Sequence, residues 1–416
     1  METSKLISFI THYQTTNNKE NMVKSYQKIA AMTFCLFLLS GPGFLYAQAP
    51  VLDPVDDAKN LGPPEKFLFW TPEQQVAGYR NINRVFPTRV ISAGGKTLEL
   101  PEQLVRLGKV KIQSEGRTMT VDEYFLKQNV AGLLVIRDGK IVYERYGLGN
   151  TEDSLWVSFS VAKSVTSMLV GAAIRDGYIK SVDEKVTDYL PRLKNSAYDQ
   201  SSIRDVLQMS SGVEWNEDYA DPKSDVNSAS WETLNLYEYL RNKPRVAAPG
   251  EVFNYNTAET NLVGTLLRSA IGNNLSTYLS EKIWKPFGME SDANWMLSEA
   301  GGGETGGCCI NATLRDYGRL GLFALSNGRL ADGTQVLPEN WMAESTAPSR
   351  GNPGYGYFWW LYQDGTYRAS GIFGQAIYIN PKENVVIAMH SARAVASNKP
   401  DWALQSAFFT AITDNL

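Results

Sequence analysis

Residues 158–173 read SFSVAKSVTSMLVGAA, an apolar helical pattern that carries a single lysine, Lys163. Ser160 lies three positions before it, so both side chains share one side of the predicted helix and can hydrogen-bond. Apolar neighbours remove solvent from the lysine, which lowers its pKa and lets it act as a neutral base. A serine at a helix start also places its own amide N–H where an oxyanion would form. The motif alone leaves a structural alternative open, a lysine that extends past apolar neighbours to the surface. In the context of the later stretches described below, we predict Ser160 as a nucleophile and Lys163 as its base.

The segments on either side of this helix indicate the fold class. Before it, residues 131–149 (AGLLVIRDGKIVYERYGLG) predict an antiparallel hairpin. After it, residues 190–350 have a mainly helical pattern, strands return from Tyr355, and a last helix closes the chain. Strands at both ends with helices between them predict an α+β fold, in which an antiparallel sheet is flanked by helices and an all-helical subdomain is inserted.

The changes in pattern along the chain predict its domain boundaries. The predicted parts are an upstream segment and signal peptide (1–49), an N-terminal extension (50–118), an α/β subdomain (119–189 with 355–416) and a mainly helical subdomain (190–354).

The composition limits the classes of molecule that this chain is expected to bind. Its 416 residues, 43% hydrophobic and 20% charged, are typical of a soluble globular protein with two closely packed subdomains. A net charge of −4 without lysine or arginine clusters argues against nucleic acid. We expect a small-molecule ester or amide as the partner, no cofactor and no metal, and the oligomeric state stays open.

An export signal is predicted from Met22 onwards. Two lysines precede an apolar run at residues 29–39, and Ala47-Gln48-Ala49 offers a small-residue cleavage site. The apolar run is too short for a membrane anchor. We therefore expect a periplasmic or secreted protein with no stable membrane insertion after cleavage, and its start at Met1 or Met22 stays open.

Two further clusters contain residues of metal-binding type, but neither has the pattern of a metal site. Cys308 and Cys309 are the two cysteines left after signal cleavage. Adjacent cysteines form a ring less often than they stay as two small buried thiols, and the redox state of this pair stays open. The acidic side chains between 214 and 221, Glu217 among them, lack the ligand order of a calcium loop. We expect this acidic cluster on a solvated face.

Two later stretches carry groups that a Ser-Lys pair needs. Tyr255 follows a Pro-Gly turn and precedes an apolar helix, where its hydroxyl could serve as a second acid–base group; a tyrosine packed in the core is the alternative. Residues 368–375 (RASGIFGQ) predict a strand in which Gly371 permits close backbone approach and the Ile372 N–H is a second oxyanion donor. A Ser-His-Asp triad is not expected, because His390 is the one histidine after the signal and no G-x-S-x-G motif occurs.

Three motifs together resemble those of the penicillin-recognising serine hydrolases. They are Ser160-Val-Ala-Lys163, Tyr255-Asn-Thr257 and Ala369-Ser-Gly371-Ile372, in that order and spacing, and the resemblance runs from about Val130 to the end. Within this superfamily the chain is similar to class C β-lactamases and most resembles the 6-aminohexanoate-dimer hydrolases.

The resemblance implies acyl transfer. In such a mechanism Ser160 attacks a carbonyl, Lys163 and Tyr255 move the protons, and the amides of Ser160 and Ile372 hold the oxyanion. It also implies a position near the substrate for Tyr219, with an ordinary loop aromatic as the alternative.

The remaining residues expected at the substrate are Gly371 and Trp359. Successive residues of a strand face opposite ways, so Trp359 and Trp360 are expected to divide between the pocket wall and the core.

The chain departs from the superfamily pattern at two positions. Thr257 stands where class C enzymes usually have asparagine, and Ala369 stands where penicillin-recognising enzymes usually have the lysine of Lys-Thr-Gly. Loss of that ammonium removes a charge-assisted contact to a substrate carboxylate, and strand alternation points the neighbouring Arg368 to the opposite face. An uncharged ester or amide is therefore expected, with a β-lactamase or D-Ala-D-Ala peptidase, and an inert protein that binds cell-wall fragments, as alternatives.

Overall fold

The structure, a computed structural model, describes residues 57–396 and 398–416. The predicted signal peptide lies outside these residues. The strands are β1 (Thr88–Ile91), β2 (Lys111–Ser114), β3 (Arg117–Thr120), β4 (Val130–Arg137), β5 (Lys140–Tyr146), β6 (Trp156–Val157), β7 (Ala293–Met296), β8 (Ile310–Ala312), β9 (Trp360–Leu361), β10 (Tyr367–Ser370), β11 (Ala376–Asn380) and β12 (Val385–Ser391).

The α-helices are α1 (Pro72–Arg80), α2 (Ile82–Val85), α3 (Val121–Lys127), α4 (Val161–Arg175), α5 (Val186–Tyr189), α6 (Ile203–Leu207), α7 (Asp225–Ser228), α8 (Thr233–Arg241), α9 (Thr257–Ile271), α10 (Leu275–Leu279), α11 (Lys285–Phe287), α12 (Leu314–Leu325), α13 (Trp341–Ser345) and α14 (Lys399–Thr413). Short 3₁₀ turns lie at Pro64–Phe69, Pro191–Leu193 and Ala197–Gln200, and a π turn at Ser280–Trp284.

The main sheet joins the two ends of the described chain. Its six strands run in the order β5-β4-β12-β11-β10-β9, and each neighbouring pair is antiparallel. The β4–β5 hairpin turns through Asp138 and Gly139, whose φ angles of 52° and 74° match the tight turn that the Asp-Gly pair predicts. Pairing of β4 with β12 then brings residues 130–137 beside residues 385–391. This arrangement confirms the predicted α+β fold with an antiparallel sheet flanked by helices.

Both faces of the sheet are buried. Alternate residues of β4 face opposite ways: Leu134 and Ile136 pack in the core that contains α4 and α12, whereas Leu133 and Val135 pack in the core that contains α14. A strand buried on both faces needs a continuous apolar sequence, which explains the run VAGLLVI. The helices from α5 to α13 contribute side chains to the first of these cores. The predicted subdomain boundaries stay a prediction.

The start of α4 is set by an unusual backbone conformation. Phe159 has a φ of 43°, in the left-handed region, and Ser160 follows as the residue that precedes the helix. The Phe159 ring stacks on Phe67 of the N-terminal extension, with ring centroids 4.9 Å apart. Such a conformation costs free energy in a non-glycine residue, so the surrounding packing must enforce it. The N-terminal extension therefore helps to fix Ser160.

One expectation from the sequence is wrong in detail. The strand expected from Tyr355 onwards shrinks to β9, because the chain turns before it at Phe358, whose φ is 61°. Cys308 and Cys309, whose redox state the sequence leaves open, are joined in a disulfide in the turn that leads into β8.

Within residues 57–396 and 398–416, no helix is long and apolar enough to cross a membrane.

The two-sided burial of β4 predicts a large cost for truncating one of its side chains. Leu134→Ala should lower the free energy of unfolding by about 2–5 kcal/mol, because it removes buried apolar contacts and leaves a cavity. Leu126→Ala is the matched control, since Leu126 is 60% exposed on α3, and its effect should stay within about 0.5 kcal/mol. Urea unfolding of both variants measures the difference. Equal losses would mean that β4 is not at the centre of the core.

Candidate active site

Ser160 and Lys163 meet at the start of α4. The Lys163 Nζ lies 2.9 Å from the Ser160 Oγ, within hydrogen-bond distance, as their spacing on the helix predicts. Ser160 is partly exposed, whereas Lys163 is only 1% exposed. A solvent-accessible hydroxyl is therefore held against an amine that water does not reach.

The Lys163 amine has two further partners in the structure. Its Nζ lies 3.1 Å from the Thr257 Oγ1 at the start of α9 and 2.9 Å from the carbonyl oxygen of Gly307. Burial lowers the pKa of Lys163 to about 8, and the negative charge of Glu217 opposes this shift. About a tenth of the amine is therefore neutral at pH 7, and this neutral form can accept a proton.

Tyr255 lies beside the same pair. Its ring centroid is 5.2 Å from the Lys163 Nζ. Burial raises the pKa of Tyr255; a hydrogen bond with Ser160 lowers it in part, and the charge of Glu217 raises it further. Tyr255 therefore keeps its proton at neutral pH, when Lys163 can already lose one. Neutral Lys163 can therefore accept a proton, whereas Tyr255 can donate one.

A cleft of about 180 Å³ opens above Ser160. Its walls are largely aromatic and carry no charged side chain. The residues that line it are Ser160, Tyr219, Tyr255, Trp360, Ser370, Gly371, Ile372 and Trp402. The Ser370 hydroxyl has no hydrogen-bond partner in the described part of the chain, so it is available to a bound molecule.

Most of the residues predicted at the substrate lie on this cleft. Tyr219, Gly371 and Ile372 all line it. Gly371 is required by a close approach of two backbone segments, since a Cβ there would lie 2.7 Å from the carbonyl oxygen of Ser158. The end of β10 therefore runs against the segment that leads into Ser160.

The prediction that Trp359 lines the cleft is wrong. Trp359 is 1% exposed and packs edge-on against Tyr367, with ring centroids 5.2 Å apart. Trp360 lines the cleft instead and stacks on Tyr255, at 5.8 Å between ring centroids. The two tryptophans do divide between wall and core, but the turn before β9 reverses which one faces the site.

Glu217, predicted on a solvated face, instead contacts residues of the candidate active site. Its carboxylate is only partly exposed, and it accepts hydrogen bonds from the Tyr219 hydroxyl at 2.6 Å and from the Thr257 N–H at 3.1 Å. It also accepts from the Thr257 hydroxyl and from the Trp215 indole N–H. The threonine at 257 was the available signal, because the single proton of its hydroxyl needs an acceptor, which Glu217 supplies. Trp402 and Ser370 of the cleft were also missed.

Neither metal nor histidine chemistry is built into this site by the residues that the structure describes. No group of three or more histidine, cysteine, aspartate or glutamate side chains within 57–396 and 398–416 could hold a metal ion. His390 is buried away from the cleft, with its ring 4.7 Å from that of Tyr317 between centroids. Burial lowers its pKa to about 3, so its imidazole is neutral at neutral pH.

The sequence profile described as β-lactamase matches residues 122–407, more than half of the chain. The chain belongs to the β-lactamase family. It is also 30% identical over 284 residues to the 6-aminohexanoate-dimer hydrolase of Paenarthrobacter ureafaciens, a match that covers 62% of this chain and 71% of that enzyme. These findings confirm the resemblance found in the sequence and identify the chain as a serine hydrolase.

Solved structures share the fold of this β-lactamase family member. A candidate 6-aminohexanoate-dimer hydrolase from Bacillus anthracis has a TM-score of 0.74 and 24% identity, over 82% of this chain and 94% of that one. A class C β-lactamase from Rhodobacter sphaeroides has a TM-score of 0.52 and 15% identity, over 70% of this chain and 97% of that one. At such identities the likeness shows the fold alone.

The geometry predicts that Ser160 reacts with a fluorophosphonate only when Lys163 is neutral. The rate of covalent labelling should rise with pH and be half-maximal where the pKa of Lys163 lies, at about 8. Lys163→Met should slow labelling by at least about a hundredfold and flatten the pH dependence, because the base is gone.

Intact mass and peptide mapping measure this reaction. Ser160→Ala should abolish the adduct, whereas Ser326→Ala, at an exposed serine beyond α12, should not change it. Unchanged labelling of Lys163→Met would contradict the assignment of the base.

Proposed function

We propose that this hydrolase cleaves small uncharged esters or linear amides through an acyl-enzyme formed on Ser160. The observation that carries the proposal is the Lys163 amine, buried and 2.9 Å from the Ser160 hydroxyl at the floor of an aromatic cleft. An inert binding protein has no need of such a pair, because a buried lysine costs free energy that binding alone does not require.

In the first half of the reaction, neutral Lys163 takes the proton of Ser160 while its oxygen attacks the substrate carbonyl carbon. The negative charge that develops on the carbonyl oxygen is held by the amide N–H groups of Ser160 and Ile372. Ile372 lines the cleft and Ser160 stands at the start of α4, which supports this placement. The carbon–oxygen or carbon–nitrogen bond to the leaving group then breaks, and Tyr255 donates the proton that the leaving group needs.

In the second half, water attacks the acyl-enzyme. Before this attack the Lys163 ammonium returns a proton to the Tyr255 phenolate, so the amine is neutral again. Neutral Lys163 then accepts a proton from the attacking water, the bond from the carbonyl carbon to the Ser160 oxygen breaks, and the Lys163 ammonium gives its proton to that oxygen. The acid product leaves the cleft.

The substrate class follows from the relatives and from the lining of the cleft. The Paenarthrobacter ureafaciens relative is named for a linear amide, the 6-aminohexanoate dimer. Ala369 leaves no ammonium on β10 to attract a carboxylate, which favours uncharged esters and amides over β-lactams or peptide stems.

Export of the mature chain to the periplasm or medium is part of this proposal. The basic, apolar and small-residue pattern before residue 50 supports it. Amino-terminal sequencing of the protein recovered from a periplasmic fraction tests it, since recovery of the uncleaved chain from the cytoplasm alone would contradict it.

A turnover screen on the purified chain tests the substrate class. It compares p-nitrophenyl esters of short acids, N-alkyl amides of the same acids and a chromogenic cephalosporin. We expect hydrolysis of the ester and of the amide, each abolished by Ser160→Ala. Faster turnover of the cephalosporin than of both would instead favour a β-lactamase.

The role given to Tyr255 predicts different losses on the two substrate types. Tyr255→Phe should reduce kcat for a linear amide by about a hundredfold, because an amine must be protonated to leave. The loss on a p-nitrophenyl ester should be much smaller, since p-nitrophenolate leaves without a proton. Steady-state kinetics on one enzyme preparation measure both. Equal losses would show that Tyr255 does not protonate the leaving group.

A further inference from the structure

Glu217 is bound on both carboxylate oxygens by groups of the candidate active site. One oxygen, Oε1, accepts from the Tyr219 hydroxyl at 2.6 Å and from the Thr257 hydroxyl. The other, Oε2, accepts from the Thr257 N–H at 3.1 Å and from the Trp215 indole. Four donors suit a carboxylate in its ionised form, and they fix its orientation. Glu217 does not line the cleft, so it is placed to act on other residues and not on the substrate.

The Thr257 hydroxyl connects this carboxylate to the amine. A hydroxyl has one proton, and the Thr257 proton points to Glu217, which can only accept. The lone pairs of the same oxygen therefore face the Lys163 Nζ, 3.1 Å away. Glu217 thus makes Thr257 an acceptor toward Lys163.

A count of donors shows what this does to the neutral amine. A neutral lysine has two N–H donors and one lone pair. The Gly307 carbonyl, 2.9 Å from Nζ, can only accept, and Thr257 also accepts because its proton is engaged. Both N–H groups are then occupied, and the lone pair is left facing Ser160, at 2.9 Å. This is the orientation in which the amine can remove the serine proton.

We propose that Glu217 is a positioning residue, whose carboxylate acts through the Thr257 hydroxyl to aim the Lys163 lone pair at Ser160. The inference rests on the proposed function of Ser160 and Lys163. It also assigns a role to the threonine at 257, because an amide oxygen at that position accepts without help, whereas a hydroxyl can turn either way.

The titratable groups around the amine are few. Tyr255 faces Lys163 from the loop before α9, and Tyr219 and Glu217 lie in the loop before α7. Tyr255 and Tyr219 have pKa values raised by burial, so both stay neutral where Lys163 titrates. The negative charge beside the ammonium is that of Glu217, which favours the protonated form.

The position of this charge predicts that Glu217→Gln changes both the rate of Ser160 labelling and the pH at which labelling is half-maximal. Labelling of Ser160 by a fluorophosphonate should slow by at least about tenfold at its plateau, because the lone pair is no longer aimed. The pH of half-maximal labelling should fall below that of the native chain, because loss of the negative charge makes the ammonium easier to deprotonate. A change that only loosened the fold would slow the reaction without moving this midpoint to lower pH.

Glu214→Gln is the matched control, since it makes the same chemical change on an exposed carboxylate of the same loop. It should leave both the rate and the midpoint unchanged. Thr257→Asn in the Glu217→Gln background is the rescue variant, because an amide oxygen accepts from Lys163 without Glu217. It should recover most of the lost rate while the midpoint stays low.

The proposal is overturned if Glu217→Gln labels at the native rate with the native midpoint, or if the rescue variant is no faster than Glu217→Gln. Should Glu217→Gln fail to fold, as judged by thermal unfolding, Thr257→Val is the alternative, because it removes the hydroxyl that connects Glu217 to Lys163. It should show the same loss of rate. Because fluorophosphonate labelling requires no natural substrate, absence of ester and amide turnover in a chain that still labels at Ser160 would refute the proposed function alone.

Discussion

The buried amine of Lys163 requires hydrogen-bond partners from several segments of this structure. Lys163 is almost fully buried, and its three hydrogen-bond partners lie in three segments of the chain: Ser160 at the start of α4, Thr257 at the start of α9, and Gly307 in the turn before β8. A buried ammonium or amine without partners would cost several kcal/mol, so these partners must stay in place together. Close approach of that turn to α9 depends on Gly306, where a Cβ would lie 2.4 Å from the Thr260 carbonyl oxygen. A side chain at 306 would push the Gly307 carbonyl away from the amine.

The need to satisfy buried polar groups also explains the polar residues of α4, a helix that is buried almost throughout. The Ser164 hydroxyl donates to the Phe358 carbonyl at 2.6 Å, and the Thr166 hydroxyl donates to the Gly306 carbonyl at 2.7 Å. Each hydroxyl satisfies a carbonyl of an irregular segment that no strand or helix would satisfy. The helix therefore holds two of the turns that surround the site, and the strained conformation of Phe159 fixes where it begins.

Local patterns were sufficient for the fold and for the chemistry carried by short motifs. The spacing of Ser160 and Lys163, the hairpin before them and the strand that ends at Gly371 are properties of neighbouring residues, which periodicity and turn chemistry report directly. Glu217 could not be found in this way, because it sits in a polar loop and gains its role from Thr257, 40 positions later. Trp359 and Trp360 show the same limit: alternation predicted that they would divide, but the turn at Phe358 decided which one reached the cleft.

The charges around the cleft are arranged to act on the reacting groups and not on the ends of a substrate. Arg368, next to Ala369, lies on the other face of β10, where burial lowers its pKa and its guanidinium packs over the Trp402 ring at 4.8 Å from the centroid. The Trp402 indole therefore stands between this cation and the cleft, and a bound molecule meets the aromatic side chain instead of the guanidinium. Lys163 and Glu217 lie beneath the serine, where their charges govern proton transfer. We infer that discrimination among substrates falls on the carbonyl and its leaving group, which these residues and Tyr255 control, more than on a charged substituent that the cleft has no side chain to bind.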